Sequence, residues 1–234
     1  MGLKLNTVCL AALVSGSAMA QSSITVANYN FSTPSVAEGT PFGDTSGSDV
    51  PGWNTSILAD GVSSGIYNPT TDQYSNPGIL DINGGVIGTM GAGNNQALFL
   101  QNTTLSYQQF LSEQVVPGMT YILTVAVGGR DNGEDFAGYV ISLGADSVLA
   151  TVADFDAPAA GSFGDVTLTY TATESDTGFL NISLGGVFDT GSVDFTNVRL
   201  ETVPEASTWA AIGFVGLLGA SAAWRQRQRQ TAKA

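Results

Sequence analysis

Thr120-Tyr121-Ile122-Leu123-Thr124-Val125-Ala126-Val127 carries the clearest alternation in this chain. Tyr121, Leu123, Val125 and Val127 fall on one face of an extended strand, and smaller or more polar residues fall on the other. The same period-two pattern recurs on both sides of it. It is present in 96–101, 139–143, 166–170 and 180–184, and again in Val193-Asp194-Phe195-Thr196-Asn197-Val198-Arg199-Leu200. Turn formers punctuate the runs: Gly128-Gly129, Asp131-Asn132-Gly133, Gly161, Asp176-Thr177-Gly178 and Gly185-Gly186. Short strands separated by such residues predict an all-β sandwich or jelly roll over residues 21–202. Residues 61–95 are loop-rich, as Tyr67-Asn68-Pro69, Asn76-Pro77-Gly78 and Gly84-Gly85 indicate.

Charge narrows the partners. All 20 acidic residues lie between Glu38 and Glu205, whereas only Arg130 and Arg199 are basic between residues 21 and 205. So acidic a body repels nucleic acid and anionic lipid. It suits solubility outside the cell or divalent-cation binding. Cys9 is the one cysteine, and histidine is absent. Disulfides, thiolate chemistry in the body, Ser-His-Asp catalysis and His-ligated zinc are thereby excluded.

The termini read as addresses. Lys4, the apolar stretch from Leu5 to Val14, and Ala18-Met19-Ala20 make residues 1–20 a secretory signal. The Sec translocon and signal peptidase are its expected partners, with Gln21 as the new N-terminus. At the other end, Val203-Pro204-Glu205 precedes an uncharged stretch from Trp209 to Trp224, and Arg225, Arg227 and Arg229 follow. That apolar stretch is short for a transmembrane helix, which takes about 20 residues. The three-part order over residues 203–229 resembles the PEP-CTERM sorting signal of Gram-negative bacteria that make exopolysaccharide, with Ala206 in place of the usual second proline. The resemblance implies an exosortase that recognises Val203, Pro204 and Glu205. The arginines would stop the helix in the inner membrane before transfer to the cell surface or matrix.

Within the body, Asn28-Tyr29-Asn30-Phe31, Pro51-Gly52-Trp53, Gln96-Ala97-Leu98-Phe99-Leu100, Pro117-Gly118 with Thr120-Tyr121, and Val193-Asp194-Phe195 with Asn197-Val198 and Leu200 occur in that order. Together they resemble the galactose-binding-like jelly roll of carbohydrate-binding modules. This resemblance implies a structural Ca²⁺ between the first segment and the last strand. Asn28 and Asp194 are its matching positions. Ser32 stands where the family has an acidic residue, and Glu38 is the candidate substitute.

Two further sets of residues carry chemistry. Asp131, Glu134 and Asp135 crowd one turn, which suits either hard-cation coordination or a solvated hairpin. Asp154 and Asp156 offer the same two readings. Trp53, Tyr67 and Tyr74 are either loop aromatics that stack on sugars or core and loop anchors. Arg130 is expected to pair with a carboxylate of the adjoining turn. No catalytic motif gathers the carboxylates, so the expectation is a non-catalytic module that binds polysaccharide. A structural biofilm or envelope protein and a secreted glycoside hydrolase are the alternatives.

Overall fold

The computed structural model describes residues 21–42, 50–55, 63–70, 73–74, 96–102, 105–133, 135–154, 156, 158, 161–187 and 190–204. The expectations for Ala18, Ala20, Glu134, Glu205, Arg225, Arg227, Arg229 and the apolar C-terminal stretch lie outside these residues. No helix among the described residues is long and apolar enough to cross a membrane.

Among the described residues twelve strands follow one another: β1 (Ser22–Ile24), β2 (Pro41–Phe42), β3 (Asn54–Thr55), β4 (Ser63–Tyr67), β5 (Ala97–Gln101), β6 (Ser106–Gln114), β7 (Met119–Gly129), β8 (Tyr139–Gly144), β9 (Val148–Asp154), β10 (Ser162–Thr171), β11 (Phe179–Gly186) and β12 (Ser192–Pro204). They form two sheets. One has the order β10-β7-β12-β5-β4-β2, with β1 also on β12, and the other β3-β6-β11-β8-β9. All named pairs are antiparallel. The expected all-β sandwich is therefore the observed class.

Alternation explains the core. Tyr121, Leu123, Val125 and Val127 of β7 point inward beside Leu98 and Leu100 of β5 and Phe195 and Leu200 of β12. Tyr107, Ile141, Leu143, Leu180, Ile182 and Leu184 meet them from the second sheet. Burying each such side chain stabilises the fold by about 1.5–3 kcal/mol. Trp53 belongs here and not on an exposed loop: it is 2% exposed, its ring lies 5.4 Å from Phe31, and its indole N–H donates to the Ala27 carbonyl.

β12 is the organising strand. One edge pairs with β7 along most of its length. The other edge pairs with β5 at Ser192–Phe195 and with β1 at Leu200–Thr202. Between these contacts the register shifts between Thr196 and Arg199, with Asn197 at φ 53°. The extra residue resets the in-out parity, so Asp194 and Arg199, five positions apart, both face away from the core. The strand also runs through Pro204, past the expected boundary at 202 and into the expected sorting motif. Val203 and Pro204 are paired with Thr120 and Met119.

Candidate functional site

The outward face of the seven-stranded sheet holds a second, smaller apolar cluster. Ala97 of β5, Ala126 of β7 and Phe163 of β10 form its floor, and Tyr74 lies over them. Each comes from the parity opposite to the main core. Tyr74 stacks on Phe163 with ring centroids 4.6 Å apart. The stack sits close on Gly128: a Cβ there would come within 2.5 Å of the Phe163 ring and 2.6 Å of the Tyr74 hydroxyl. Glycine at 128 is what lets both rings settle onto the sheet.

Asp194 lies opposite Gly128 on the neighbouring strand and is fully buried. Its carboxylate takes a two-pronged ion pair from Arg130, Nε to Oδ2 and a terminal nitrogen to Oδ1, both at 3.0 Å. The Tyr74 hydroxyl donates to Oδ2 at 2.6 Å. Arg130 is itself only 6% exposed and lies over the rings of Tyr67, at 5.1 Å, and Phe99, at 6.0 Å. A planar guanidinium between aromatic faces and a carboxylate satisfies its charge on every side. The Tyr67 hydroxyl donates to Gln73 Oε1 at 2.6 Å, and the Gln73 carbonyl accepts from the Asp131 amide at 2.9 Å. Gln73 thereby ties Tyr67, the loop after Arg130 and its own neighbour Tyr74 into one assembly.

Two causes push the Tyr74 hydroxyl well above the usual tyrosine range. Burial is the larger, and the negative charge and hydrogen bond of Asp194 add to it, while Arg130 opposes. Tyr74 therefore remains a neutral phenol and a hydrogen-bond donor. A carboxylate offers about four acceptor positions. Three are used here, and Asp194 is fully buried, so its oxygens are sealed from solvent.

Beside this network opens a cavity of about 210 Å³, lined by Ser63, Tyr67, Phe99, Gln101, Arg130 and the Gly39–Pro41 turn. Larger hollows of about 420 and 470 Å³ lie elsewhere. Size is the poorer guide here, because the smaller cavity adjoins the buried acid–base network.

The structure thus brings Tyr67, Tyr74 and Asp194 together out of the residues singled out from sequence. The others stand apart. Asn28 folds its own turn, with its amide oxygen accepting from the Thr33 amide and its nitrogen donating to the Thr33 and Pro51 carbonyls. Glu38, Asp131 and Asp135 are exposed. Among the described residues no three His, Cys, Asp or Glu side chains converge as a metal site would require. Calcium does not fit at Asp194, whose oxygens face a guanidinium and a phenol. Arg130 pairs with Asp194, 64 residues away, and not only with its own turn. The β7–β12 register carries that contact. Phe99 and Phe163 were not singled out, since an outward aromatic in a strand looks the same in sequence as an inward one, and Gln73 is a polar turn residue with no pattern around it.

The family described as HpiC1-like, HpiC1 cyclase, matches residues 22–201. No curated protein matches the chain. Among solved structures, the chain is similar to a Stig cyclase, Fisc, from Fischerella sp. TAU, in complex with (3Z)-3-(1-methyl-2-pyrrolidinylidene)-3H-indole. Identity is 23%, coverage is 79% of this chain and 99% of that one, and the TM-score is 0.61. The apo form of a Fischerella sp. cyclase gives 24% identity, 79% and 97% coverage and a TM-score of 0.63. A Fischerella sp. TAU cyclase in complex with 4-(1H-indol-3-yl)butan-2-one gives 23%, 78% and 98%, and 0.60. At these identities the structural likeness establishes the fold.

The family match corrects three expectations. The body belongs with cyclases, not with the galactose-binding-like modules it was compared to. A cyclase is an enzyme, so a non-catalytic module for polysaccharide and a structural biofilm protein are both set aside. The PEP-CTERM resemblance is withdrawn as the family assignment: the match rests on the sandwich, residues 22–201.

Proposed function

This chain belongs to the HpiC1-like cyclase family, and from that premise we propose that it closes a ring on an apolar aromatic substrate of the indole class. The buried Asp194–Tyr74–Arg130 network beside an aromatic-walled cavity carries this reading. The substrate class is suggested by the indole compounds held by the Fischerella proteins. The sandwich is read as a jelly roll whose outward sheet face presents the site.

The chemistry asked of the site is an isomerisation. A proton reaches the substrate and makes an electrophile, a carbon–carbon bond forms to the aromatic ring, and a proton leaves. Nothing is oxidised, and atoms balance without a co-reactant. Ionised against Arg130, Asp194 has no proton to give and is proposed to take up the leaving one, the first proton coming from solvent; it lies fully buried behind Arg130 of the cavity wall, so the Arg130 side chain has to swing aside for the substrate to reach it. Tyr74 and Arg130 fix the carboxylate's orientation by three hydrogen bonds.

Incubation of the full chain with a panel of prenylated and alkylated indoles tests this. The expected result is a product of unchanged mass with a new ring, lost in Asp194→Asn. Failure of the wild-type chain to isomerise any member, or full turnover by Asp194→Asn, would overturn the proposal. Residues 1–20 are further proposed to export the enzyme, and recovery of a secreted form beginning at Gln21 is the corresponding observation.

A further inference from the structure

The outward positions of β4 and β5 grade the aromatic-walled cavity from one end to the other. On β4 they are Ser63, Gly65 and Tyr67, and opposite them on β5 stand Gln101, Phe99 and Ala97. No side chain separates Ser63 from Tyr67, because the residue between them on that face is Gly65, whose φ of 147° suits glycine. Arg130 occupies the aromatic end, over the rings of Tyr67 and Phe99, and Asp194 is the partner of Phe99 on β12. Ser63 and Gln101 line the other end. Both are half-buried, so a ligand in the cavity meets them without any rearrangement.

We infer that Gln101 sets the orientation of the substrate: its side-chain oxygen accepts from the ring N–H of an indole whose face lies against Phe99 and Tyr67. The inference rests on the indole class proposed above and adds to it the contact that selects for the N–H. An indole ring has that one hydrogen-bonding group, and enclosing it without an acceptor is costly. Phe99 and Pro41 have no polar side-chain atom, Arg130 only donates, and the Tyr67 hydroxyl is directed at Gln73. Ser63 and Gln101 are left as side chains that accept at the open end. Gln101 reaches further than a serine hydroxyl, and it stands two residues beyond Phe99 on the same face, about 7 Å along the strand. That is beside the edge of a ring laid on Phe99. A primary amide has two acceptor positions and two donors, so a bond within the protein does not exhaust it. With the N–H held at Gln101, the opposite side of the ring is turned toward Arg130 and, behind it, Asp194.

Nitrogen-15 NMR titrations of the full chain test it with 3-methylindole and 3-methylbenzofuran, which keeps the ring shape and has oxygen in place of the N–H. The indole is expected to shift the Gln101 side-chain amide and to half-saturate at a concentration about tenfold lower than the benzofuran does. Gln101→Leu should remove that preference, as read at the Ser63 amide. Gln101→Glu, which keeps an acceptor oxygen at the position, and Ser63→Ala should both retain it. No saturable shift or no preference in the wild type, a preference that survives Gln101→Leu, or one lost in Gln101→Glu or Ser63→Ala would each overturn the inference. Turnover of the substrate panel is scored apart. Ring closure without the preference sinks this contact alone, and the preference without ring closure sinks the cyclase reading alone.

Discussion

Gly128→Ala adds a single methyl group at the point where the candidate active site rests on its sheet. The new carbon would lie 2.5 Å from the Phe163 ring and 2.6 Å from the Tyr74 oxygen. Ordinary contacts are about 3.5–4.0 Å, so both rings must retreat by about 1 Å. Tyr74 then leaves its 2.6 Å bond to Asp194. Losing a hydrogen bond to a charged group costs about 1.5–3 kcal/mol, and the overpacking costs about 1–3 kcal/mol more. Replacing glycine returns about 0.4–1 kcal/mol through the unfolded chain. A net loss of about 2–4 kcal/mol corresponds to a fall in Tm of about 5–15 °C for a domain of this size. Calorimetry on the wild type, Gly128→Ala, Tyr74→Phe and the double variant measures both the total and the coupling. The hydroxyl is part of the clash, so Gly128→Ala should cost less when Tyr74 is already Phe. A Gly128→Ala protein within about 0.5 kcal/mol of wild type, or strict additivity, would refute the reasoning.

Arg130→Met strands the Asp194 charge in the interior and should cost about 3–5 kcal/mol in urea unfolding, and Asp194→Leu in the same chain should recover a large part of it. The Tyr74 hydroxyl is raised above its unfolded value, so its contribution to stability is whole below about pH 10 and is lost as pH rises from there toward the raised folded value. Wild type should therefore lose stability more steeply than Tyr74→Phe as pH rises above about 10, as read from denaturant midpoints. Tyr121 and Tyr139 are raised as well, and they are common to both proteins, so the difference belongs to Tyr74. Trp53→Ala should cost about 3–5 kcal/mol while leaving indole binding at the outward face intact, as a core role requires.

Strands whose alternation reports burial were legible in the sequence. The run 120–127 lies inside β7, and Val193 to Leu200 lies inside β12. β6 was not read, and the reason is local. Its inward position 109 is a glutamine, whose amide is satisfied by the Ala27 amide and the Ala27 and Gly52 carbonyls, while outward Phe110 is 65% exposed. The inversion erases the pattern. β9 escaped for another reason: it is an edge strand with exposed residues on both faces, so no pattern is imposed on it. At the site, Asp194 was singled out through the jelly-roll resemblance, as a calcium ligand, and Tyr67 and Tyr74 as aromatics among loops. The Asp194 partner of Arg130 was not read because sequence offers only its neighbours, whereas this partner arrives through a strand 64 residues on. Catalytic potential stayed hidden since it rests on no motif, only on a register that sets a charged pair among aromatic rings.

The strand nearest the end of the sandwich in sequence is the one in its middle in space, and this bears on how the chain acquires its shape. β12 supplies a ladder to β7, β5 and β1 at once. Until it emerges, those three present unpaired edges with no shared neighbour. Contacts between β1 and β12 span nearly 180 residues, so their loop-closure entropy is met late. The five-stranded sheet can pair without it, but the larger sheet stays in separate ladders until the final strand slides between its waiting partners.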